Sequence, residues 1–598
     1  MISPRYRWRF RTPTLHVPMS VDDVVPFLLD VRGIPRTEQP AFLTPSYEDT
    51  LHDPSALPDF PAALERVLRA RDRGEEVAIF GDYDVDGVTA SAVLLQTFRL
   101  LSIRAHATVP HRETDGYGLT VSAVRALVPP ATLLITVDNG TSASEAVAEA
   151  RRRGADVVIL DHHAVQGELP RDALIVNPAR PDHGYPFSRL SAVGLAFKLS
   201  RALLHRFGRD GEAKWLLDLV ALGTLADRVP LTGENRTLVQ WGLRVLREGP
   251  RIGLHALAAA ARVHLPSCDA HAVSFRLIPR LNAAGRMRHA DLALTLLTTR
   301  DPVEASALAA TLEEINAERR ALTDRVAKDI EETLVRSVPL PDMLCVSGPW
   351  PLGVLGILAG RLAEDVGRPA VVIGVGETTC TASVRGNGTV NVVDIVAGLS
   401  EVLTKFGGHA EAAGFSFPRE ALPEVEQYFA KLTLSEGRED SPALLIDCAF
   451  PSAAVTSDLA RQLTVLEPHG EGNERPVFLF EELRVEDVRS IGGHGEHHRF
   501  WVSHSSRPGE TLSAVAFRWN RRPLPVRGDA IDVAAEVRID RFRGKERVDL
   551  HLRDVQTHGV HPHTVNSVSN FEQVTGLAGP GLASTSEGKG GSMGGGKP

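Results

Sequence analysis

Three short apolar runs organise the first half of the chain. Val77-Ala78-Ile79-Phe80 closes on a Gly-Asp cluster and is followed by a helix-like segment, 88–101. Leu133 to Val137 ends in Asp138-Asn139-Gly140, ahead of an Ala/Glu/Arg-rich segment, 143–152. Asp156 to Leu160 ends in Asp161-His162-His163. Continuous apolar runs alternating with helices predict a parallel α/β sheet whose strands are buried on both faces. Ligands gather at the carboxyl ends of such strands, and each run here ends in acidic or imidazole residues.

The pattern then changes. Leu312, Ile315, Leu322, Val326, Ile330 and Leu334 fall at helical spacing with Glu and Arg between them, which predicts a long connecting helix broken at Pro339-Leu340-Pro341. A second α/β segment follows, helical over 354–362 and strand-like over 370–373. After a boundary near 435–442 come short β-type runs over 481–488, 498–502, 512–517, 530–539 and 547–552, a number suited to a small barrel. The Gly- and Ser-rich end, 576–598, cannot bury a core and reads as a disordered tail.

At 598 residues with 43% hydrophobic and 24% charged positions, the chain is long enough for several cores, which excludes a single small module or wholesale disorder. The balance of 66 Lys and Arg against 75 Asp and Glu, net −9, confines any polyanion site to a local patch. Four scattered cysteines form no C-x-x-C pair, so neither a disulfide framework nor a thiolate zinc site is expected. Residues 1–10 lack an apolar core of signal-peptide length, and no apolar run suits a membrane span. A soluble, cytoplasmic protein is expected.

Asp82-Tyr83-Asp84-Val85-Asp86-Gly87 sets three carboxylates in five residues at a strand end. Their repulsion is relieved by a divalent cation or by solvation, and alone the motif equally suits a surface turn. Asp138, Asp161, His162 and His163 arrive at the same sheet edge, and Asp227 closes a further apolar run, which favours a site. Several carboxylates with imidazole and no thiolate select Mn2+ or Mg2+, and two ions would suit phosphoester hydrolysis by in-line displacement. His163 reads as a general acid or phosphate contact, or as a histidine satisfied by its neighbour.

Asp84-Val85-Asp86, Asp138-Asn139-Gly140, Asp161-His162-His163 and Asp227 resemble the four motifs of the DHH phosphoesterase superfamily. Residues 115–119, 280–287 (Arg-Leu-Asn-Ala-Ala-Gly-Arg-Met) and 466–473 (Leu-Glu-Pro-His-Gly-Glu-Gly-Asn) are similar to segments of its bacterial RecJ family. The resemblance spans about 8–554. It implies a single-strand-specific DNA exonuclease running 5′ to 3′ with Mn2+ or Mg2+, in which Asp82, Asp84, Asp86, Asp138, His162 and Asp227 hold the ions and Asp161 and His163 assist. The implied fold is an α/β DHH-type parallel-sheet core joined by a long helix to a DHHA1-type α/β domain, followed by an all-β OB-fold barrel. The expected divisions are an N-terminal extension (1–52), the catalytic domain (53–305), the helix (306–338), the DHHA1-type domain (339–434), the barrel (435–560) and the tail (561–598). Single-stranded DNA is the expected partner, with a helicase and a single-stranded-DNA-binding protein assisting.

Gly407-Gly408-His409 offers unhindered backbone N–H groups in what is expected to be a phosphate-cradling turn, or else a packing turn. Ser383 and Arg385 on a nearby strand add a hydroxyl and a guanidinium, completing a 5′-phosphate pocket. Two departures stand out: Pro351 occupies a position where the family usually has His, and Ser383-Val384-Arg385 replaces Ser-Ala-Arg. Tyr117, between glycines, suits base stacking or core packing equally, with Arg112 nearby for a phosphate. Arg280 and Asn282 match the family's substrate-facing segment, although an arginine capping a helix would look the same. Between Arg518 and Asp554 ten Lys or Arg against seven Asp or Glu give a local +3. There Arg518, Trp519, Arg541, Arg543 and Lys545 read as a strand-tracking face, or as a solvated barrel surface. A phosphodiesterase for cyclic dinucleotides or short oligonucleotides would share the metal motifs without needing a barrel. A non-catalytic single-strand binder would not need the full acidic set.

Overall fold

The computed structural model describes residues 2, 4–12, 21–112, 116, 118–128, 130–165, 167–182, 184–335, 340–434, 443–492, 495, 497–504, 511–519, 523–542 and 545–559. Tyr117, Arg543 and the tail from 561 lie outside them, as do the side chains of Arg541 and Lys545.

A short strand, β1 (Arg7–Phe10), precedes a five-stranded parallel sheet of β2 (Glu76–Gly81), β3 (Arg104–Thr108), β4 (Leu133–Val137), β5 (Asp156–Leu160) and β6 (Ala173–Val176). Its order, β3-β2-β4-β5-β6, places β2, β4 and β5 side by side at the centre. Their buried apolar residues have helices on both faces, so the polar residues following each strand emerge along one edge. The π-helical stretch Val273–Leu277 runs into the Ile278–Met287 helix. The long helix spans Pro302–Val335 and leads into the second unit.

That unit is a mixed sheet of β7 (Leu344–Gly348), β8 (Ala370–Val375), β9 (Thr379–Arg385), β10 (Lys405–His409) and β11 (Ala412–Pro418), in the order β10-β11-β9-β8-β7. One face carries Ala382, Val384, Ala413, Phe415 and Phe417 into its own core. The alternating residues Ser383 and Arg385 point the other way, towards the Leu352–Val366 helix, where a methyl on Gly356 would lie 3.4 Å from Ser383 Oγ and 3.2 Å from an Arg385 nitrogen. Pro351 is the residue before that helix, a position where its missing N–H costs nothing.

The last unit begins with β12 (Ala443–Ile446) and β13 (Cys448–Ala449). β14 (Phe478–Ile491), β15 (His497–His504), β16 (Thr511–Ala516), β17 (Ala530–Phe542) and β18 (Lys545–Thr557) follow, and pairing of β14 with both β15 and β17 closes a five-stranded barrel.

The N-terminal residues belong to this barrel, which sequence pattern did not reveal. β1 pairs in parallel with β12, and Tyr6, Trp8 and Phe10 pack on the cluster holding Leu444, Ile446 and Leu479. Their alternation with Arg5, Arg7, Arg9 and Arg11 puts arginines on the opposite face. Asp554 accepts from the backbone N–H groups of Arg5 and Tyr6 and from Trp8 Nε1, and Ile2 and Thr557 exchange hydrogen bonds. Val24, Leu28 and Leu29 enter the barrel core itself.

Arg236, on the Gly233–Glu248 helix, joins the barrel to the first unit. Its guanidinium stacks 3.8 Å from the Phe42 ring and donates to the carbonyls of Phe42, Leu466, Glu467 and Pro468. Burial brings its pKa down to about 10, still fully charged at neutral pH. The 466–473 segment thereby lies against the residues just after Asp227, with Leu231 N–H donating to Glu471 O at 2.7 Å. Arg236→Leu should leave the carbonyls of Phe42 and Glu467 without this donor, with Asn473 still serving those of Leu466 and Pro468, and cost about 2 kcal/mol or more. A lowered thermal midpoint with earlier proteolysis of the barrel is the expected result, and an unchanged midpoint would contradict this joint.

Candidate metal centre and substrate cleft

Asp82 and Asp84 follow β2. Asp84 caps the Val85–Leu100 helix, its Oδ1 accepting from the backbone N–H of Asp86 at 2.9 Å and of Gly87 at 3.2 Å. Asp86, in the first turn, is fully buried. Its carboxylate rests on the N-terminus of the Ala192–Arg206 helix, accepting from Ala192 N–H at 2.7 Å and Val193 N–H at 2.9 Å, where the helix dipole favours negative charge. Asp138 leaves β4 with φ 65°, an uncommon conformation for a residue other than glycine. Asp161, after β5, accepts on Oδ1 from His162 N–H at 2.8 Å and from His163 Nδ1 at 2.7 Å, and on Oδ2 from Thr141 N–H at 3.0 Å.

His162 stands at the centre. Its Nε2 lies 3.1 Å from Asp138, 3.5 Å from Asp227 and 4.0 Å from Asp86. Three overlapping trios, Asp82/Asp84/Asp138, Asp86/His162/Asp227 and Asp138/His162/His163, each present ligand atoms within 4.8 Å of one another. Asp82 Oδ1 and Asp227 Oδ2 are buried and accept no hydrogen bond among the described residues. Orphaned buried carboxylate oxygens beside an imidazole are what hard divalent cations require, so the residues fit Mn2+ or Mg2+. The trio of Asp82 and Asp84 and the trio of His162 and His163 have Asp138 in common, and the trio of Asp86 and Asp227 meets the latter at His162.

Electrostatics point the same way. Burial, then repulsion from Asp84, raises Asp82 and Asp138 well above the carboxylate range and Asp86 to about 7. Burial, then Asp86 and Asp84, carries Asp227 to about 9. Burial and the neighbouring His163 lower His162 to about 4, leaving it a neutral ligand. Burial would lower His163 too, but the hydrogen bond and charge of Asp161, with Asp227 and Asp82, raise it to about 9. Burial would likewise raise Asp161; its bond to His163 overcomes this and holds it well below the usual range.

The cleft continues into the second unit. Arg112 stacks 5.2 Å from the Tyr83 ring and is a charge neighbour of Arg385, whose pKa is lowered by burial and then by Arg112. Arg385 donates to Ser383 Oγ at 3.2 Å. Strand register aligns Ser383 with Gly414 and Gly407, and Arg385 with Ala412 and His409. Gly407, Gly408 and His409 are therefore an edge strand, and the expected turn lies one step on, at Ala410 and Glu411. Asn282 is half-buried on the helix face that carries Gly285 and Arg286.

Arg280 departs from expectation. It is buried, and its guanidinium is taken up by Glu313 on the long helix and by the carbonyl of Arg276, so it pins two helices. The neighbouring Arg286, quoted in the motif yet unassigned, is the one beside Tyr83 and Asp84; burial, with Arg112 and Arg319 near, brings it down to about 10. Its place as the last cation of the motif was the available signal. Trp519 is 3% exposed inside the barrel core and cannot stack on a base, whereas Phe517 is 52% exposed. Among the described residues, three cations of this stretch are engaged within the barrel: Arg538 and Arg553 pair with Glu536, and Arg547 with Asp540 and Asp549. Arg518 remains exposed.

Models of known families match the three units: the DHH family N-terminal domain over 76–224, the DHHA1 domain over 343–433 and the RecJ OB domain over 446–554. Fold and site together thus define a DHH phosphoesterase. The chain is 32% identical over 573 residues to the single-stranded-DNA-specific exonuclease RecJ of Bacillus subtilis, covering 93% of this chain and 71% of that protein. It superimposes on RecJ from Thermus thermophilus in complex with Mn2+ with a TM-score of 0.77 at 28% identity, covering 94% of this chain and 80% of that one. The Mg2+ complex gives 0.71 at 27% identity, with 92% and 79% covered. The chain belongs to the RecJ family. Among the described residues no helix is long and apolar enough to cross a membrane.

Gly223 tests the metal centre from behind. A methyl there would meet Thr89 Oγ1 at 2.3 Å, Val193 at 2.7 Å and Asp86 Oδ1 at 2.8 Å. Gly223→Ala should displace Asp86 and weaken Mn2+ binding about tenfold or more, with secondary structure retained. Titration calorimetry with circular dichroism measures both, and wild-type affinity would contradict the packing of Asp86 described here.

Proposed function

We propose that the protein is a metal-dependent exonuclease that degrades single-stranded DNA from the 5′ end to 5′-mononucleotides and serves recombination and repair. The observation that carries this reading is the joining, in one cleft, of a carboxylate–imidazole centre with orphaned buried oxygens and a guanidinium–hydroxyl pair, Arg385 and Ser383, on the facing sheet. A barrel attached to that cleft favours long strands over cyclic dinucleotides.

Asp82, Asp84 and Asp138 would hold one ion and Asp86, His162 and Asp227 the other. When bound, the ions supply hydroxide from water and neutralise charge on the scissile phosphate. Asp161 fixes His163 through Nδ1 and keeps it protonated, so His163 serves as hydrogen-bond donor to the phosphate or proton donor to the departing 3′-oxygen. Arg385 and Ser383, with Arg112 and His409 beside them, hold the terminal 5′-phosphate, and Asn282 and the N–H groups around Gly407 and Gly408 line the same path. The P–O3′ bond breaks, releasing one nucleotide and a new 5′ end. In this division of labour 53–305 carries out hydrolysis, 339–434 binds the end and 435–560 the following strand. The protein acts in the cytoplasm, on strands opened by a helicase or covered by a single-stranded-DNA-binding protein.

Asp138→Ala should abolish hydrolysis of a 5′-labelled strand in Mn2+ while leaving the fold and strand binding largely intact; near-wild-type turnover would refute its role as a metal ligand. Arg385→Ala should weaken a 5′-phosphorylated strand about tenfold more than its 5′-hydroxyl counterpart, as expected for loss of a charge-assisted contact. Equal losses on the two substrates would remove Arg385 from the end pocket.

A further inference from the structure

The carboxyl ends of the catalytic strands carry acid, and their amino ends carry arginine. At that opposite edge β3 begins with Arg104 beside Glu76 of β2, and the Phe60–Arg73, Val85–Leu100 and Ser144–Arg152 helices finish there. The length of β2 puts it roughly 17 Å from the metal centre. Arginines at helix ends ordinarily serve the last carbonyls, and three here do so: Arg71 donates to Leu101 O at 3.1 Å, Arg153 to Val128 O at 2.9 Å and Arg209 to Leu100 O. The nearby carboxylates are taken as well. Glu75 and Asp156 hold the buried Arg66, and Asp72 pairs with Arg71. Buried Glu149 alone faces the guanidiniums of Arg125, Arg152 and Arg153, the first two 60% and 69% exposed. Arg69, Arg73, Arg99 and Arg104 are exposed, and among the described residues none of the four pairs with a carboxylate or donates to a carbonyl. These four lie together. Arg69 and Arg73 stand one turn apart on one helix face, a methyl on Gly74 would be 3.7 Å from Arg104 Nη2, and the bond from Arg71 to Leu101 O brings the turn holding Arg99 alongside.

We propose that Arg69, Arg73, Arg99 and Arg104, continued by Arg125 and Arg152, form a second nucleic-acid site that holds the backbone of duplex DNA flanking the single strand under attack. Its role as an anchor rests on the exonuclease reading; the binding itself does not. A protein partner would call for an apolar centre, yet the exposed ring at this edge, Phe207, is already covered by the Arg71 guanidinium 4.2 Å away. A single strand would call for free rings on which its bases stack. Guanidiniums without rings suit a duplex, whose bases are hidden and whose phosphates stand on a rigid surface at about one charge per 1.7 Å. From β3 to β5 the edge runs three strand spacings, roughly 14 Å, and so fronts about eight such charges. In a chain of net charge −9 this local excess also orients the molecule, turning the arginine edge towards the duplex and leaving the acidic edge for the strand end. DNA held here lies too far from the metal ligands to be cut.

The test uses the full chain in EDTA, so that binding is read without cleavage, with a fluorescent blunt duplex, a fluorescent single strand of the same length and a polyglutamate peptide as probes. Arg69→Ala, Arg73→Ala, Arg99→Ala and Arg104→Ala combined should weaken duplex binding about tenfold or more at roughly 50 mM salt and reduce the slope of log affinity against log salt by about three to four. The matching set of Arg→Lys changes should keep most of both, because the charges remain. Single-strand affinity, and hydrolysis of a free 5′-labelled strand in Mn2+, should be unchanged by the alanine set. A duplex carrying a 5′ single-stranded tail should be degraded about tenfold more slowly at subsaturating enzyme, as expected when a tether is lost. The proposal is overturned if the wild-type chain does not retain the duplex, or if the alanine set retains it as tightly, which would leave these arginines as complements to helix ends. An equal loss on the single strand overturns it by making the edge part of the strand path, and capture of polyglutamate in place of the duplex does so by making it a face for an acidic protein. Wild-type hydrolysis of the free strand reports separately on the exonuclease reading.

Discussion

Mutual repulsion among buried carboxylates is the constraint around which this molecule is arranged. Asp82, Asp86 and Asp138 are all at most 4% exposed, with Asp84 and Asp227 beside them. Two unit charges about 4 Å apart repel by about 4 kcal/mol at an effective dielectric constant near 20. The fold answers with fixed dipoles wherever it can: Asp84 takes the N–H groups of its own helix, and Asp86 takes those of a helix more than a hundred residues later. Asp161 is satisfied by Thr141 and the two histidines. Among the described residues of the cluster, what remains unanswered is an oxygen each of Asp82 and Asp227, where a divalent cation would supply the missing charge.

The Ile278–Met287 helix packs backbone to backbone on the loop after β2 on one side and on the second unit's first helix turn on the other. A methyl on Gly285 would lie 2.5 Å from Tyr83 O, and one on Gly353 would lie 2.0 Å from Arg286 O. Bare backbone at both points sets the width of the cleft and brings Arg385 next to Arg112. Arg280 reinforces it from outside by tying the Ile278–Met287 helix to the long helix through Glu313.

The strands and acidic edge of the first unit were legible because a buried parallel strand is an apolar run and its end is marked by the change to polar residues. The long helix was legible from its 3.6-residue spacing of apolar positions, and the barrel from its five short β-type runs. Roles that depend on a distant partner were not. Nothing near Arg280 in the chain names Glu313, and Gly407 to His409 carry the composition of a turn while pairing as a strand. In a closed barrel the alternation of in and out is reset by bulges and by residues just past strand ends, so Trp519 rather than Phe517 took the inward place. β1 was missed because its partner, β12, lies more than four hundred residues away, and only their parallel pairing makes the alternating arginines and aromatics a strand.

That pairing has a consequence for how the chain is made. Residues 5–10 leave the ribosome long before Asp554, and at about 5–20 residues per second the delay is roughly half a minute to two minutes. Until Leu444, Ile446 and Leu479 are made, late in that interval, Tyr6, Trp8 and Phe10 have no surface to cover, and a β-prone aromatic segment in that condition invites association between nascent chains. An arginine at every second position is the charge pattern that keeps such a segment apart from its copies. The same arginines that stand opposite the packed aromatics in the finished barrel thus guard the segment during synthesis, while the catalytic sheet, whose strands all lie between Glu76 and Val176, completes its pairing without waiting for the barrel.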